Sequence, residues 1–229
     1  EAMGPNAKTE GVGRRQRVDS SHPMRAEAAR WMGALGFAEF EVYVGGKEPS
    51  MVKGFSDDGP ALVVGANITL PLDAAGRYEM AREVFALRRG STVVMYEDDN
   101  TVASLVIAIC REAGQNVAEP PYAVFKEVER RIKKAMSRKV RNQLRDVCPR
   151  VLSSGQDAHA WAAAARRSID RMALIAAGDA GSVLDAIVGP RGSPERQAMQ
   201  KNDRVRSLLA FALSTEYLEL RAKLGMGVG

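Results

Sequence analysis

Apolar positions recur at helical spacing along most of the chain beyond residue 72, whereas alternating or continuous apolar runs are confined to the stretch before it. From Pro23 the pattern places Ala28, Trp31, Met32 and Leu35 on one face, with Ser21 as the candidate cap and Gly36 as the stop. Short β-type runs follow at 41–44 (EVYV), 50–53, 61–65 (ALVVG) and 67–70 (NITL), separated by Gly-Gly and Asp-Asp-Gly-Pro punctuation. Helices are then predicted over 73–89, 98–114, 122–136, 138–152, 156–177, 180–188, 194–213 and 215–223. Asp73, Asp98 and Ser193 stand at cap positions, Pro194 at a first helical position, and Gly90, Gly178 and Gly189 after helix ends. Residues 93–96 read equally as a strand or as the entry to the next helix.

The order of elements predicts an α+β fold, mostly α, with a small sheet within about 40–96 and a helical body from about 73 onward. A single globular domain is expected over 22–224, with 225–229 as a tail. Residues 1–21 lack apolar periodicity and are expected to be a flexible leader, either vector-derived or the cut end of a longer polypeptide. No repeat of about 33 to 45 residues is present, so the chain is not itself a solenoid.

At 229 residues, with 45% hydrophobic and 27% charged positions and a mean hydropathy of −0.22, the composition is that of a globular chain. That excludes collagenous and disordered classes. No apolar run approaches the roughly 18 residues a membrane span requires, and the start lacks the order of a signal peptide. Cys110 and Cys148 are too few for a disulfide framework and sit in apolar helical patterns, so a reducing, cytoplasmic setting is expected. Two histidines, His22 and His159, leave little for imidazole-based catalysis or metal ligation.

The excess positive charge is local. Residues 126–150 hold ten Lys or Arg against three acids, whereas the whole chain carries a net charge of only +5. Through the same stretch Val124, Val128, Ile132, Met136, Val140, Leu144 and Val151 form an apolar stripe, which predicts one amphipathic basic helix, or two joined near Ser137. Arg130, Lys133, Lys134, Arg138, Arg141 and Arg145 are its candidate partner-binding residues. The face suits an acidic protein surface, nucleic acid or an acidic lipid surface. No aromatic residue is interleaved with the cations to stack a base.

Several catalytic patterns fail. Gly45, Gly46 and Lys47 run into Glu48 where a phosphate loop needs a hydroxyl, and Gly225, Gly227 and Gly229 have no strand before them. There is no Gly-x-Ser-x-Gly elbow, and Cys148 precedes Pro149 without a nearby histidine. His159 lies on an alanine-rich helix and reads as a structural hydrogen-bonding residue.

Three strings carry a resemblance: 60–90 (PALVVGANITLPLDAAGRYEMAREVFALRRG), 166–187 (RRSIDRMALIAAGDAGSVLDAI) and 208–225 (LLAFALSTEYLELRAKLG). Over roughly residues 23–224 the chain resembles an uncharacterised C-terminal domain of bacterial tetratricopeptide-repeat proteins, itself similar to a degenerate gluzincin, a zinc-metalloprotease-like body. An H-E-x-x-H helix works because positions i and i+4 share a face and hold zinc while the glutamate activates its water. The matching positions here are Arg82, Glu83, Val84, Phe85 and Ala86. The third ligand in such proteases lies four residues before an aspartate. With Asp170 as that anchor, Arg166 occupies the ligand position. The resemblance therefore implies a vestigial site with no metal or cofactor, in which Arg82 and Arg166 pair with Glu83 and Asp170 as a link between two helices. In the last string Leu208, Leu209, Phe211, Ala212, Leu218, Leu220 and Leu224 are expected to dock on the core, with a helix start around 214–216.

The expected function is a non-catalytic protein–protein interaction or scaffold domain, a pseudoenzyme body fused to repeats that recruit other proteins. Two alternatives are an anion-binding module that uses 126–150 and a hydrolase with Glu83 as general base.

Overall fold

The computed structural model describes residues 3–188 and 202–225. Gly189, the Ser193–Pro194 helix start, and Gly227 and Gly229 lie outside them. Among the described residues the fold is α+β and mostly helical, with one three-stranded sheet near the N-terminus. Where one domain is expected over 22–224, the chain divides into two compact units, residues 1–4 with 93–166 and residues 5–92 with 167–229.

The larger unit is built on strands β1 (Glu41–Val44), β2 (Val52–Ser56) and β3 (Pro60–Val64) in the order β1-β3-β2. β3 runs parallel to β1, with Val42 opposite Leu62, and antiparallel to β2, with Gly54 opposite Leu62. Residues 61–64 of β3 are all buried because both sheet faces are covered, which is why that strand reads as a continuous apolar run. On one face Val42, Val52, Leu62 and Val64 pack with Met24, Ala28 and Met32 of α2 (Pro23–Ala34) and Met80 and Val84 of α3 (Ala74–Arg89). On the other, Tyr43, Phe55, Ala61 and Val63 pack with Val12.

That second cover comes from the segment expected to be a flexible leader. It contains the short helix α1 (Ala7–Glu10), and its residues 16–18 extend the sheet at β1: the Val18 N–H donates to Val42 O and the Val44 N–H to Gln16 O. Glu10 is buried 3.2 Å from Lys53 Nζ. Its polar sequence hides this role, because a strand added at an edge needs only backbone hydrogen bonds. Two further expectations change. α2 is capped by His22, whose Nδ1 accepts from the Met24 N–H at 3.1 Å, while Ser21 bonds to Asp19. Residues 67–70 form turns and bends rather than a strand.

Asp73 caps α3, as its position predicts, and Gly90 ends it in the left-handed conformation. The 158–177 pattern folds as α9 (Ala158–Ala177), whose last carbonyls are held by cations: Arg77 donates twice to Ala177 O and Arg221 once to Ile175 O. Around it pack α10 (Ala180–Val188), α11 (Asp203–Ala212) and α12 (Thr215–Lys223), with Tyr78, Leu174, Val183, Leu208, Phe211 and Tyr217 as their shared core. Ser214 caps α12. Leu218 and Leu224, expected in that core, are exposed.

The smaller unit holds α4 (Thr92–Tyr96), so 93–96 enters a helix, and α5 (Asp99–Glu112), capped by Asp98. It continues with α6 (Phe125–Ala135), α7 (Arg138–Leu144), α8 (Cys148–Ser153) and the start of α9. α5 and α6 pack through Ala108, Phe125, Val128 and Ile132. The basic stretch is interrupted at Met136, which is extended, and Ser137 caps α7. The predicted apolar stripe is therefore covered continuously only as far as Met136; beyond it Leu144 is half-buried, whereas Val140 and Val151 are 43% and 44% exposed.

Candidate functional site

The residues expected to form a vestigial site, Arg82, Glu83, Ala86, Arg166 and Asp170, separate into three environments. Arg82 and Asp170, on α3 and α9 of the larger unit, face each other, with Arg82 Nε 3.2 Å from Asp170 Oδ1. The contact is an ion pair without hydrogen-bond alignment. Asp170, 3% exposed, accepts from Tyr78 Oη at 2.9 Å and from Arg204 through Nε at 2.6 Å and Nη2 at 2.9 Å. Arg82 Nη1 also lies 3.1 Å from Glu79. The cluster thus sets two guanidiniums against two carboxylates and a phenol. Burial, reinforced by the Asp170 charge, pushes the Tyr78 hydroxyl well above its ordinary value. Burial works against charge on Arg82 and Arg204, but the neighbouring carboxylates outweigh it and hold both above the usual arginine value.

Glu83 points elsewhere. It is 2% exposed, and its Oε2 accepts the Gly54 N–H of β2 at 2.8 Å. Gly54 is the point where α3 lies against the strand: an added Cβ would stand 2.8 Å from the Leu87 side chain. Ala86 is fully buried in the same helix. Arg166 belongs to the smaller unit. Its carboxylate partner is Asp99, and its remaining donors go to Val94 O at 2.5 Å and Glu97 O at 2.7 Å. The expected pairing is corrected accordingly: Arg82 joins Asp170, whereas Arg166 secures the α4–α5 turn. Helix periodicity does not separate the two positions; the segments packed around them do. Arg166 and Asp170 are one turn apart on α9, but the packing around each turn differs.

Among the described residues no three His, Cys, Asp or Glu side chains gather as a metal-binding set. His159 is engaged structurally: its Nε2 is 3.1 Å from Asn100 Oδ1, and its ring meets Tyr122 edge-on at 5.5 Å.

The basic face resolves into paired and unpaired cations. Arg130 and Arg131 share Glu127, whose carboxyl is held down to about 2 by their hydrogen bonds. Arg141 pairs with Glu112 at 3.1 Å. Lys133, Lys134, Arg138 and Arg145 are exposed, with no acidic partner among the described residues. In the same unit, an open groove of about 620 Å³ is lined by Val106, Ile109, Leu144, Val147, Val151 and Trp161, with Arg150 among its polar residues.

No family model, curated protein or solved structure matches the chain. The geometry therefore stands alone. Sequence reasoning missed Tyr78 and Arg204 in the buried cluster and missed the groove. Tyr78 lies one helical turn before Arg82 and was accessible from spacing; nothing local marks Arg204, which reaches Asp170 across 34 positions. The groove had a signal in Val147 and Val151, which share a face on a segment with no buried residue but Cys148 between 138 and 157.

Proposed function

We propose that the chain is a non-catalytic protein-interaction domain that engages an acidic partner surface through the basic segment of α6 to α8. The observation that carries this reading is the group of exposed, acid-free cations, Lys133, Lys134, Arg138 and Arg145, set beside apolar side chains that the fold leaves uncovered. Opposite charge on a partner would steer its approach, and apolar contact would hold it.

The titratable groups at the protease-like positions support the same reading, since they are committed to packing. Glu83 is bound to a strand N–H, Asp170 is saturated by Tyr78 and Arg204, and Arg166 is bound to backbone carbonyls. Under this proposal the body is a degenerate gluzincin-like C-terminal domain of a cytoplasmic repeat protein, with Arg82–Asp170 joining the two helices that carry ligands in the proteases it resembles. No helix of the described residues is long and apolar enough to cross a membrane.

The test is affinity capture from cell extract by the full chain and by a Lys133→Glu, Lys134→Glu, Arg138→Glu variant. These positions are exposed and unpaired, so reversal leaves the fold intact; Arg141 is omitted because a glutamate there would face Glu112. Capture of the same proteins is expected to be lost in the variant and to weaken as salt rises from roughly 0.05 to 0.5 M. Unchanged capture would overturn the proposal, and capture abolished by nuclease would reassign the face to nucleic acid.

A further inference from the structure

α7 and α8 pack on α5 through Leu144 and Cys148 but leave Val140, Val151 and Leu152 exposed, and Val147 between the two helices is exposed as well. The groove is lined by Leu144, Val147 and Val151 together with Val106 and Ile109 of α5 and Trp161 of α9, the last 42% exposed. Cys110 and Cys148, both buried, also line it. A concave apolar trough of this size, flanked by helices, matches the way grooves receive the apolar face of an added helix. A membrane contact would instead need apolar side chains on a convex ridge. Charge decides what the added helix must carry. From Arg138 to Asp157 the segment holds Arg138, Lys139, Arg141, Arg145 and Arg150 against Asp146 and Asp157. Arg150 lines the groove itself, and Asp157, the acid in the lining, is engaged by the His159 backbone N–H.

We infer that this groove binds an amphipathic helix from a partner protein, with apolar residues at i, i+4 and i+7 seated between Trp161 and Val151 and acidic residues on the flank that meets Arg150 and Arg145. The inference rests on the reading of the chain as an interaction domain and names the partner's chemistry. Trp161 supplies the large ring that interface anchors favour, and the apolar walls exclude water around it. An acidic flank gains from the local cations, whereas a basic flank would be repelled by them.

The probe is a fluorescein-labelled peptide about four helical turns long, with leucines at i, i+4 and i+7 and glutamates along the flanks. Anisotropy titration of the full chain is expected to show saturable binding. Val151→Asp should weaken it at least about tenfold, since it buries an unpaired carboxylate against the apolar face. Trp161→Ala, a truncation at another exposed position, gives a second test should Val151→Asp lower solubility. Arg150→Glu should weaken the acidic peptide and strengthen a lysine-flanked version. Equal binding of acidic and lysine-flanked peptides, or unchanged binding by both groove variants, would overturn the inference. So would a Val151-dependent dimer of the chain, or Val151-dependent binding to phosphatidylcholine–phosphatidylserine vesicles, without peptide binding. The two proposals fail separately. Peptide binding that survives in the groove variants but is lost in the Lys133/Lys134/Arg138 reversal removes the groove and keeps the basic face. Loss in the groove variants, with extract capture unchanged by that reversal, keeps the groove and removes the basic face.

Discussion

Replacing Asp170 with asparagine keeps the shape of the side chain and removes the one charge on which two guanidiniums converge. Asp170 accepts hydrogen bonds from Tyr78 at 2.9 Å and from Arg204 at 2.6 and 2.9 Å, and it lies 3.2 Å from Arg82. An amide offers one acceptor where the carboxylate offers two, and it turns an N–H towards an arginine. Breaking a buried ion pair by neutralising one partner costs about 3–5 kcal/mol. The Arg204 side chain is 39% exposed, so solvent takes up part of that loss, and about 3 kcal/mol is expected. The larger unit can be followed alone. The chain has two tryptophans, one in each unit, so a Trp161→Phe background leaves Trp31 as its reporter. With a urea dependence of about 2 kcal/mol per molar, the midpoint should fall by roughly 1.5 M. Glu79→Gln, which removes the less buried carboxylate, should cost under about 1 kcal/mol in the same assay. A shift below roughly 0.5 M for Asp170→Asn would refute the view that this carboxylate organises the junction of α3, α9 and α11.

Glu83→Leu should destabilise the larger unit by about 1–3 kcal/mol more than Glu83→Gln, because glutamine can still accept the buried Gly54 N–H; equal unfolding midpoints would contradict that role. Burial, with the Cys148 thiol alongside, pushes Cys110 up from its ordinary 9.0 to about 12. The folded chain keeps a proton that the unfolded chain gives up. The stability associated with Cys110 is therefore fully present below pH 9 and declines as pH climbs from there through about 12. In native protein at pH 8, Cys110 should react slowly with a thiol reagent and rapidly once guanidinium unfolds the chain, with labelling located by peptide mass; fast native labelling would count against this environment.

Much of the helical architecture was legible along the chain, since capping and periodicity are local. Asp73 and Asp98 cap α3 and α5, Ser214 caps α12, and Gly90 closes α3, each because a short side chain or a missing Cβ suits a terminus whatever surrounds it. The small early sheet was legible for the same reason. The leader was not: its residues 16–18 join the sheet through backbone groups that every residue type carries. Nor was the division into two units visible, because it passes within the uninterrupted helix α9.

The amino-acid order by itself determined the helical segments and several of their caps, where positive charge concentrates, and how few imidazoles and thiols are present. Tertiary structure alone decided what those groups meet. Arg82 and Arg166 have the same guanidinium, yet one is drawn to Asp170 and the other to Asp99 and two carbonyls. An apolar stripe that continues along the sequence likewise could not reveal that Ile132 is buried while Val151 lies open. The physical reason is range. Capping and periodicity act within a turn or two, whereas burial and ion pairing depend on which distant segments fill the space around a side chain.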